Sequence, residues 1–374
     1  MDLKTIKDIK DIKGKKVLLR LDLNVPMEKG MIKDDFRILK SLKTLNYLKV
    51  EGAKIIIISH IGDDGRKSLN EIAKYLSVPI FDLKLDDSVK KKIDEMKEGG
   101  VVMLDNLRKD PGEKNNDENF AKSLASLADV FVNEAFSVSH RKHASIVSVP
   151  KFLPSYFGFL FEEEVLNLSK AFNPDHPFTF VLGGAKFETK LPIVKKFLNI
   201  ADKVFIGGAL ANSLIKESGK EVGKSLVDKE NLDLKELIKD PKIIFPKDVV
   251  AITGSCNCVK VTDEIAPEDQ IVDTGHQFND ELDTAIFGSK FILWNGPLGL
   301  VEEGYDQGTK SLAKSIAITP DATTIIGGGD TLAVVKELNI FERFDFVSTG
   351  GGAMLDFLAS GTLPGIEAIQ NKHE

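Results

Sequence analysis

Residues 323–338, TTIIGGGDTLAVVKEL, place a β-branched run directly before three glycines, an aspartate and an apolar helical pattern. This order predicts a strand, a tight turn and a helix whose first N–H groups lie at the strand's end. Helix N-termini attract anions, and glycine lets a ligand approach the backbone closely. Asp330 has two interpretations: it caps the helix, or it binds a magnesium ion whose other ligands are nucleotide phosphates.

The same pattern of a strand followed by a helix recurs throughout the 374 residues. Apolar runs separated by amphipathic segments predict parallel sheets with crossover helices, and the chain length favours two domains. Nearly every predicted strand ends in Gly, His, Asn, Asp or Arg, at the edge where open sheets bind ligands. The predicted strands lie within residues 16–25, 53–60, 100–108, 129–136, 178–186, 203–210, 242–252, 290–299, 323–330 and 344–353.

A helical pattern separates the two sets of strands. The segment FGFLFEEEVLNLSKAF, residues 157–172, has helical periodicity and ends before Pro174. We expect a first domain, a linker helix, a second domain and a separate tail. The expected boundaries are 1–153, 154–172, 173–360 and 361–374.

Composition argues against several classes of protein. No apolar run reaches the roughly 18 residues of a membrane span, and the N-terminus lacks the apolar core of a secretory signal. The net charge of −7 disfavours general nucleic-acid binding. Cys256 and Cys258 cannot complete a structural zinc site, so we expect small strand or loop residues in a reducing cytosol.

Arginine is scarce and unevenly placed. Only six of the 50 basic residues are arginine, and five of the six precede residue 150. Lysine cannot easily replace arginine where a planar group binds phosphate or carboxylate. The first half therefore predicts an anion site, the alternative being scattered surface charge. The arginines are Arg20, Arg37, Arg66, Arg108, Arg141 and Arg343.

Polar residues on the first predicted strand favour the same reading of the first half. Arg20, Asp22 and Asn24 alternate along the strand, as a solvent-facing side would also do. Asp and Asn are poor strand formers, which favours a binding role. His140, Arg141 and His143 lie close together after a later strand, but no acidic or cysteine partner has zinc-ligand spacing.

The second half predicts an anion site of a different kind. In VLGGAKFETK, Gly183 is followed by Lys186 and Lys190, which lie four residues apart on one face of a predicted helix. The two lysines either bind a polyphosphate or form a solvated pair. LWNGPLGLVEE contains turn residues and then Glu302, a candidate acceptor for ribose hydroxyls. GKEVGKS at 219–225 is too short for a P-loop, and no GxGxxG segment supports a nicotinamide site.

Eleven segments occur in a characteristic order over nearly the whole chain: VLLRLDLNVP, DDFRI, SHIG, DNLR, FVNEAFSVSHRKHAS, GFLFEEE, VLGGAKFETK, IGGALA, LWNGPLGLVEE, GGGDT and VSTGGGAMLDFL. Taken together, they resemble the phosphoglycerate kinase family. The resemblance implies an α/β fold with two doubly wound, Rossmann-like parallel-sheet domains, a long linker helix and a C-terminal tail returning to the N-domain.

The resemblance also implies a reaction: reversible transfer of a phosphoryl group between 1,3-bisphosphoglycerate and ADP, giving 3-phosphoglycerate and ATP, with Mg²⁺. It implies a glycolytic, cytoplasmic, hinge-bending enzyme that acts as a monomer, with no nucleic-acid or membrane partner. No general base is needed, because the attacking group is already an anion. Catalysis is expected from positioning and charge stabilisation.

The family's site residues transfer to this chain by motif position. The triose would contact Arg20, Asp22, Asn24, Arg37, His60, Arg66, Arg108 and Arg141. The nucleotide would contact Gly183, Lys186, Lys190, Gly207, Asn295, Pro297, Glu302, Gly327, Gly328, Gly329, Asp330 and Thr331, with Asp330 holding the metal. Catalytic roles would fall to Arg37, Lys190, Gly328 and Gly329.

One loop departs from the family. An Arg-Pro usually follows Ser-His-x-Gly, whereas SHIGDDGRKSL has Asp63 and Asp64 there. Arg66 is the residue expected to supply the guanidinium from a shifted position. Two acids pointing inward would weaken anion binding. The alternatives are a two-domain kinase for another phosphorylated acid, a non-catalytic relative that binds nucleotide, and, more distantly, a nicotinamide dehydrogenase.

Overall fold

The computed structural model describes residues 3–185, 187–228 and 233–371. The chain forms two compact units. One consists of the residues up to Leu166 together with those from Ser360 onward, and the other is Asn167–Ala359. Each unit is built on a six-stranded sheet in which every pair of neighbours is parallel. The predicted α/β fold with two parallel-sheet domains is confirmed.

The first unit's sheet has buried aliphatic strands at its centre, because helices cover both faces of a parallel sheet. Its strands are Lys16–Arg20 (β1), Lys54–Ile58 (β4), Ile80–Phe81 (β5), Val101–Leu104 (β6), Val130–Asn133 (β7) and Ser155–Phe157 (β8), beside a hairpin of Met27–Glu28 (β2) and Met31–Ile32 (β3). The order is β5-β6-β4-β1-β7-β8. Its helices are Phe36–Val50 (α1), Asn70–Tyr75 (α2), Asp87–Asp94 (α3), Pro111–Lys114 (α4) and Glu118–Ala125 (α5).

Helix α6, Phe159–Ser169, crosses the boundary between the units in sequence. It starts later than the predicted linker helix at 154. Residues Ser155–Phe157 instead form β8, which pairs in parallel with Phe131–Asn133. The reason is that Tyr156 and Phe157 fit a half-buried sheet edge, a tertiary contact that helical periodicity does not report.

The second unit contains two sheets. The parallel one has the order β11-β10-β9-β15-β16-β17, and a small antiparallel one has the order β13-β12-β14. The strands are Phe178–Leu182 (β9), Lys203–Ile206 (β10), Ile243–Ile244 (β11), Asp248–Thr253 (β12), Cys256–Val261 (β13), Gln270–Thr274 (β14), Phe291–Asn295 (β15), Thr323–Gly327 (β16) and Phe346–Val347 (β17). The helices are Phe187–Leu198 (α7), Gly208–Glu217 (α8), Lys235–Lys239 (α9), His276–Phe287 (α10), Gln307–Ile318 (α11), Gly329–Glu337 (α12) and Gly352–Ser360 (α13).

The antiparallel sheet was not predicted. Residues 242–252 were expected to form one parallel strand, but Pro246 separates β11 from β12, and the two belong to different sheets. Proline cannot donate to a sheet ladder, so it ends the pairing of β11. Cys256 and Cys258 lie on β13, as free thiols, in agreement with the predicted strand or loop position.

The C-terminal helix α14, Pro364–Gln370, returns to the first unit as predicted. The N–H of Gly365 donates to the carbonyl of Ser139 over 2.9 Å, and Leu363, Ile366 and Ile369 are buried. None of the described helices combines the length and apolar character that crossing a membrane requires.

Candidate active site

Strand ends position the polar residues of the first unit. Arg20 ends β1, His60 follows β4, and Arg108 lies in a short turn after β6. Because these neighbouring strands are parallel, their carboxyl ends meet at one edge of the sheet. We call Arg20, Arg37, Arg108 and Arg141 the arginine cluster.

Arg20 is fixed inside the protein rather than on its surface. Its side chain is 1% exposed, its Nε donates to the Ser145 hydroxyl over 2.9 Å, and its Nη1 donates to the Leu21 carbonyl. The Glu113 carboxylate lies 3.9 Å from Nη2. Burial lowers the pKa of Arg20, and Glu113 opposes that shift. Arg20 therefore contributes a positive charge at a fixed position, and its neighbours set the orientation of the guanidinium group.

Asp22 and Arg37 form the second pair of opposite charges. Arg37 Nη1 lies 3.2 Å from Asp22 Oδ2 and donates to the Asn24 carbonyl over 3.0 Å. Ser137 donates a further hydrogen bond to Asp22. Burial raises the pKa of Asp22, but the charge of Arg37 and the hydrogen bonds that Asp22 accepts from Ser137 and from the Asn24 N–H outweigh it, so the pKa falls below its usual range. The ionised carboxylate orients Arg37, which remains partly exposed.

His60 is buried among the positive charges. Burial, assisted by Arg20 and Arg108, holds the pKa of His60 well below its usual range, against the effect of Asp22. Its Nδ1 lies 3.3 Å from Arg20 Nη2. A guanidinium only donates, so Nδ1 is the acceptor and Nε2 carries the hydrogen. The neutral ring can therefore donate one hydrogen bond to an anion.

Arg108 and the departing loop form the third pair. Arg108 is 2% exposed; its Nη1 donates to the Gly62 carbonyl and lies 2.6 Å from Asp63 Oδ1. Asp64 instead pairs with Arg66, 3.3 Å apart, and the Arg66 side chain is 87% exposed. The structure thus brings Asp63 to the arginine cluster but not Arg66, whose proposed contact with the triose stays a prediction.

Arg141 is exposed, with its Nε 3.4 Å from His140 Nε2. Its charge lowers the pKa of His60 and of His143, which places it in the same electrostatic environment as the other arginines. Burial and the arginines lower the pKa of His143 to about 4. His143 is therefore neutral at physiological pH and adds no charge to the site.

Sequence reasoning missed Glu113. It is fully buried and accepts from both the N–H and the hydroxyl of Ser145, over 2.9 and 2.6 Å. Ser145 in turn accepts from Arg20. The residue lies in the charged run KDPGEKNND, which is typical of a solvated loop. Only the fold shows that Glu113 is the counterion of a buried arginine.

In the second unit, the glycines fall into two groups. A Cβ on Gly183 would lie 2.1 Å from the Pro297 carbonyl, and one on Gly207 would lie 2.4 Å from the Leu298 side chain. Their N–H groups already donate, to Asn295 and Leu182 respectively. These glycines allow close packing of strand ends. Their contact with a nucleotide stays a prediction.

The N-terminus of α12 is different. Within the described part of the chain, no acceptor meets the N–H groups of Gly329, Asp330 and Thr331, and no side chain caps the helix. Beyond its chain neighbours and its own helix, a Cβ on Gly329 would have no described atom within 4 Å. Gly328, with φ of +103°, holds the cap position. The orphan N–H groups and the helix dipole together suit an anion.

The capping interpretation of Asp330 is wrong. Gly328 is the cap, and Asp330 lies in the first turn of α12 without a capping hydrogen bond. Glycine takes the cap because its positive φ is strained for a residue with a Cβ. The Asp330 carboxylate is thereby left available for another partner.

Lys190 and Glu302 act electrostatically on Asp330. Burial and Glu302 raise the pKa of Asp330, while Lys190 opposes them. Burial lowers the pKa of Lys190 to about 8, and its Nζ donates to the Gly183 carbonyl over 2.5 Å. No group of three or more His, Cys, Asp or Glu side chains in the described residues would hold a metal alone. One carboxylate fits a Mg²⁺ whose other ligands are phosphates and water.

A narrow, largely apolar cleft lies at the start of α8. Its walls include Gly208, Ala209, Leu298 and Leu300, with Asp273 among the polar atoms. Apolar walls with a few polar groups are typical of sites for small molecules. Pro297 directly precedes this wall and Glu302 follows it in sequence.

Three further predicted residues of this unit lie at strand ends or at the start of α12. Asn295 ends β15 and is buried, with its Nδ2 3.5 Å from Met354 Sδ. Thr331 is fully buried, and its hydroxyl oxygen has no hydrogen-bond partner among the described residues. Gly327 ends β16, beside Asn295 in the sheet. Lys186 lies outside the described residues.

Comparison with known proteins identifies the family. The model of the family described as phosphoglycerate kinase matches residues 6–361. The chain belongs to the phosphoglycerate kinase family. It is 40% identical to the phosphoglycerate kinase of Fervidobacterium nodosum over 398 aligned positions, covering 100% of this chain and 99% of the relative. It is 41% identical to that of Thermosipho africanus, with the same coverage.

Solved structures of the phosphoglycerate kinase family have the same fold. The enzyme of Pyrococcus horikoshii superposes with a TM-score of 0.87 at 31% identity, covering 99% of each chain. That of Coxiella burnetii gives a TM-score of 0.85 at 32% identity over the whole of both chains. The resemblance found in the sequence motifs is thereby confirmed.

Proposed function

We propose that this chain catalyses the phosphoglycerate kinase reaction, with each substrate bound in a different unit. The γ-phosphoryl group of ATP passes to the carboxylate of 3-phosphoglycerate, the bond to the ADP oxygen breaks, and an acyl phosphate forms. The reverse reaction makes ATP. The observation that carries the proposal is the set of unpartnered N–H groups at α12 beside Lys190 and Asp330, in a chain of this family.

The triose is assigned to the arginine cluster. Its phosphate and carboxylate are anions, and guanidinium groups bind both in planar, charge-assisted geometry. Arg20 and Arg37 are oriented by buried carboxylates, so they are positioned before the ligand arrives. The Nε2–H of neutral His60 adds a donor without further charge.

The nucleotide is assigned to the second unit, with its base in the apolar cleft and its phosphates at α12. Glu302 would accept from the ribose hydroxyls. Mg²⁺, bound through Asp330, would neutralise part of the charge on the nucleotide phosphates. Lys190 and the N–H groups of Gly328 and Gly329 would stabilise the phosphoryl group in flight, with Arg37 contributing from the first unit.

Direct transfer requires the two bound substrates to meet. We propose that the units close during each turnover, that α6 serves as the hinge, and that closure excludes water from the reacting phosphate. We also propose that the chain acts as a monomer in the cytosol.

ATP-dependent turnover of 3-phosphoglycerate tests the function. The acyl phosphate is coupled to NADH oxidation by added glyceraldehyde-3-phosphate dehydrogenase, with and without Mg²⁺. We expect Mg²⁺-dependent oxidation of NADH. ADP release with other phosphorylated acids, but none with 3-phosphoglycerate, would indicate another kinase. Nucleotide binding without any turnover would indicate a non-catalytic relative.

A further inference from the structure

Each of three buried or partly buried arginines has a carboxylate partner, but the partners differ. Glu113, beside Arg20, and Asp22, beside Arg37, are buried and accept hydrogen bonds from serine hydroxyls. The side chain of Asp63, beside Arg108, is 91% exposed, and its carboxylate accepts only from Arg108 among the hydrogen bonds described. Two of the carboxylates are therefore fixed in the protein interior, whereas the third contacts its arginine from the solvent-exposed side.

The backbone around Asp63 has several hydrogen-bond partners, whereas its carboxylate has Arg108 alone among the described residues. The N–H of Gly62 donates to Asn24 Oδ1 over 3.0 Å, and the Gly62 carbonyl accepts from Arg108. A Cβ on Gly65 would lie 2.2 Å from the Arg108 carbonyl, so this part of the loop packs directly on the arginine's backbone. Lys114 Nζ lies 3.3 Å from the Asp63 carbonyl oxygen. Rotation of the Asp63 side chain alone would free one N–H of Arg108 Nη1, without movement of the loop.

Arg108 has unused binding capacity. Its side chain is 2% exposed, and its Nε has no hydrogen-bond partner among the described residues. A guanidinium binds a two-oxygen anion through two of its nitrogens at once. The Asp63 carboxylate meets only Nη1. An incoming phosphate or carboxylate thus has a reason to displace it.

We propose that Asp63 is an intramolecular competitor for the anionic substrate of Arg108, and that it sets the affinity of this chain for the triose. The inference rests on the proposed function for the identity of that anion. In the free protein, the carboxylate occupies the arginine; on binding, the substrate takes over Nη1 and Asp63 turns to solvent. Because the side chain is almost fully exposed, its release is easy, and the competition is partial rather than inhibitory.

The decisive comparison is between Asp63→Asn and Asp64→Asn. Both variants remove one negative charge from adjacent positions, but only the first removes the partner of Arg108. We expect Asp63→Asn to lower KM for 3-phosphoglycerate by about two- to fivefold, the range of an exposed ion pair, with kcat nearly unchanged. Asp64→Asn should leave both constants unchanged, and neither variant should change KM for ATP.

Titration of 3-phosphoglycerate by calorimetry, without nucleotide, decides the inference independently of turnover. We expect the Kd to fall by the same factor in Asp63→Asn and in Asp63→Ala, and thermal unfolding checks that both variants are folded. An unchanged or higher Kd in these variants would overturn the inference, as would an equal fall in Asp64→Asn. Wild-type protein that binds 3-phosphoglycerate but does not turn it over would instead contradict the proposed function.

Discussion

The two units offer an anion binding groups of different chemistry. In the first, the guanidinium groups of Arg20, at a strand end, and Arg37, in α1, are held by buried carboxylates. In the second, the free groups are backbone N–H groups at the start of α12, with Lys190 and Asp330 beside them. The first kind of site depends on which side chains are present and what orients them. The second depends on where a side chain is missing.

This difference predicts different sensitivities to mutation. Removing a guanidinium from the arginine cluster deletes binding groups directly. Adding a single methyl group at the start of α12 fills space that a phosphate would occupy.

Arg37→Ala should lower kcat by about 10²–10³-fold, as expected for loss of one preorganised donor to a transition state. Arg37 is partly exposed, so folding should be disturbed much less than turnover. Steady-state kinetics and thermal unfolding measure the two effects. Arg343→Ala, at an exposed arginine in the other unit, is the matched control. A folded Arg37→Ala protein with an unchanged kcat would remove Arg37 from the mechanism.

Asp330→Asn should abolish most of the gain in ADP affinity that Mg²⁺ provides, a loss of at least about tenfold. Affinity for metal-free ADP should hold or rise, because a negative charge near the phosphates is removed. Calorimetric titration with and without Mg²⁺ separates these cases. If affinity falls equally in both conditions, Asp330 has a structural role and does not bind the metal.

Gly329→Ala should weaken nucleotide binding by about tenfold, equivalent to about 1.4 kcal/mol. Apart from its chain neighbours and its own helix, no described atom lies within 4 Å of the added methyl group, so a loss of affinity would come from a clash with the ligand. Stability should be unchanged or slightly higher, because alanine favours a helix. Gly288→Ala is the control, since its methyl group would make only ordinary contacts. Equal nucleotide affinity in both variants would show that no phosphate approaches α12.

Lys190 should make nucleotide affinity pH-dependent by a few-fold between pH 7 and 9. Burial lowers the pKa of Lys190 to about 8, so the ammonium loses its charge as pH rises through that value. Lys190→Met should bind more weakly and remove this part of the pH dependence. Persistence of the full dependence in Lys190→Met would assign it to another group.

The same shift affects folding. Between pH 8 and the ordinary lysine pKa near 10.5, the unfolded chain binds more protons than the folded one. As pH rises through that window, Lys190 therefore increases the free energy of unfolding, by at most about 1.4 kcal/mol per pH unit. The folded state becomes more stable. Urea unfolding of wild type and Lys190→Met across the window measures this contribution.

Much of the fold was predictable, since aliphatic runs such as Ile55–Ile58 indicate buried parallel strands directly. The use of arginine in place of lysine also predicted an anion site in the first half, because lysine supplies the ordinary surface charge of this chain. Local pattern could not show that Pro246 divides one run between two sheets, or that Ser155–Phe157 joins a sheet edge. Both depend on pairing with strands distant in sequence.

Within the sites, the limits of prediction have the same physical origin. Glu113 resembles a surface residue until the fold encloses it with Arg20 and Ser145. The glycines at 183 and 207 resemble those at 328 and 329, yet the first pair packs against carbonyl and side-chain atoms, while Gly329 faces open space. A sequence shows that a side chain is absent but not what occupies the space.

The most direct test of the division between the units is a crossed binding experiment. Wild type, Arg37→Ala and Gly329→Ala are each titrated with 3-phosphoglycerate alone and with Mg²⁺-ADP alone. We expect Arg37→Ala to lose affinity only for 3-phosphoglycerate, and Gly329→Ala to lose affinity only for the nucleotide. Loss of both affinities in either folded variant, or the reverse pairing of variant and ligand, would contradict the assignment of one substrate to each unit.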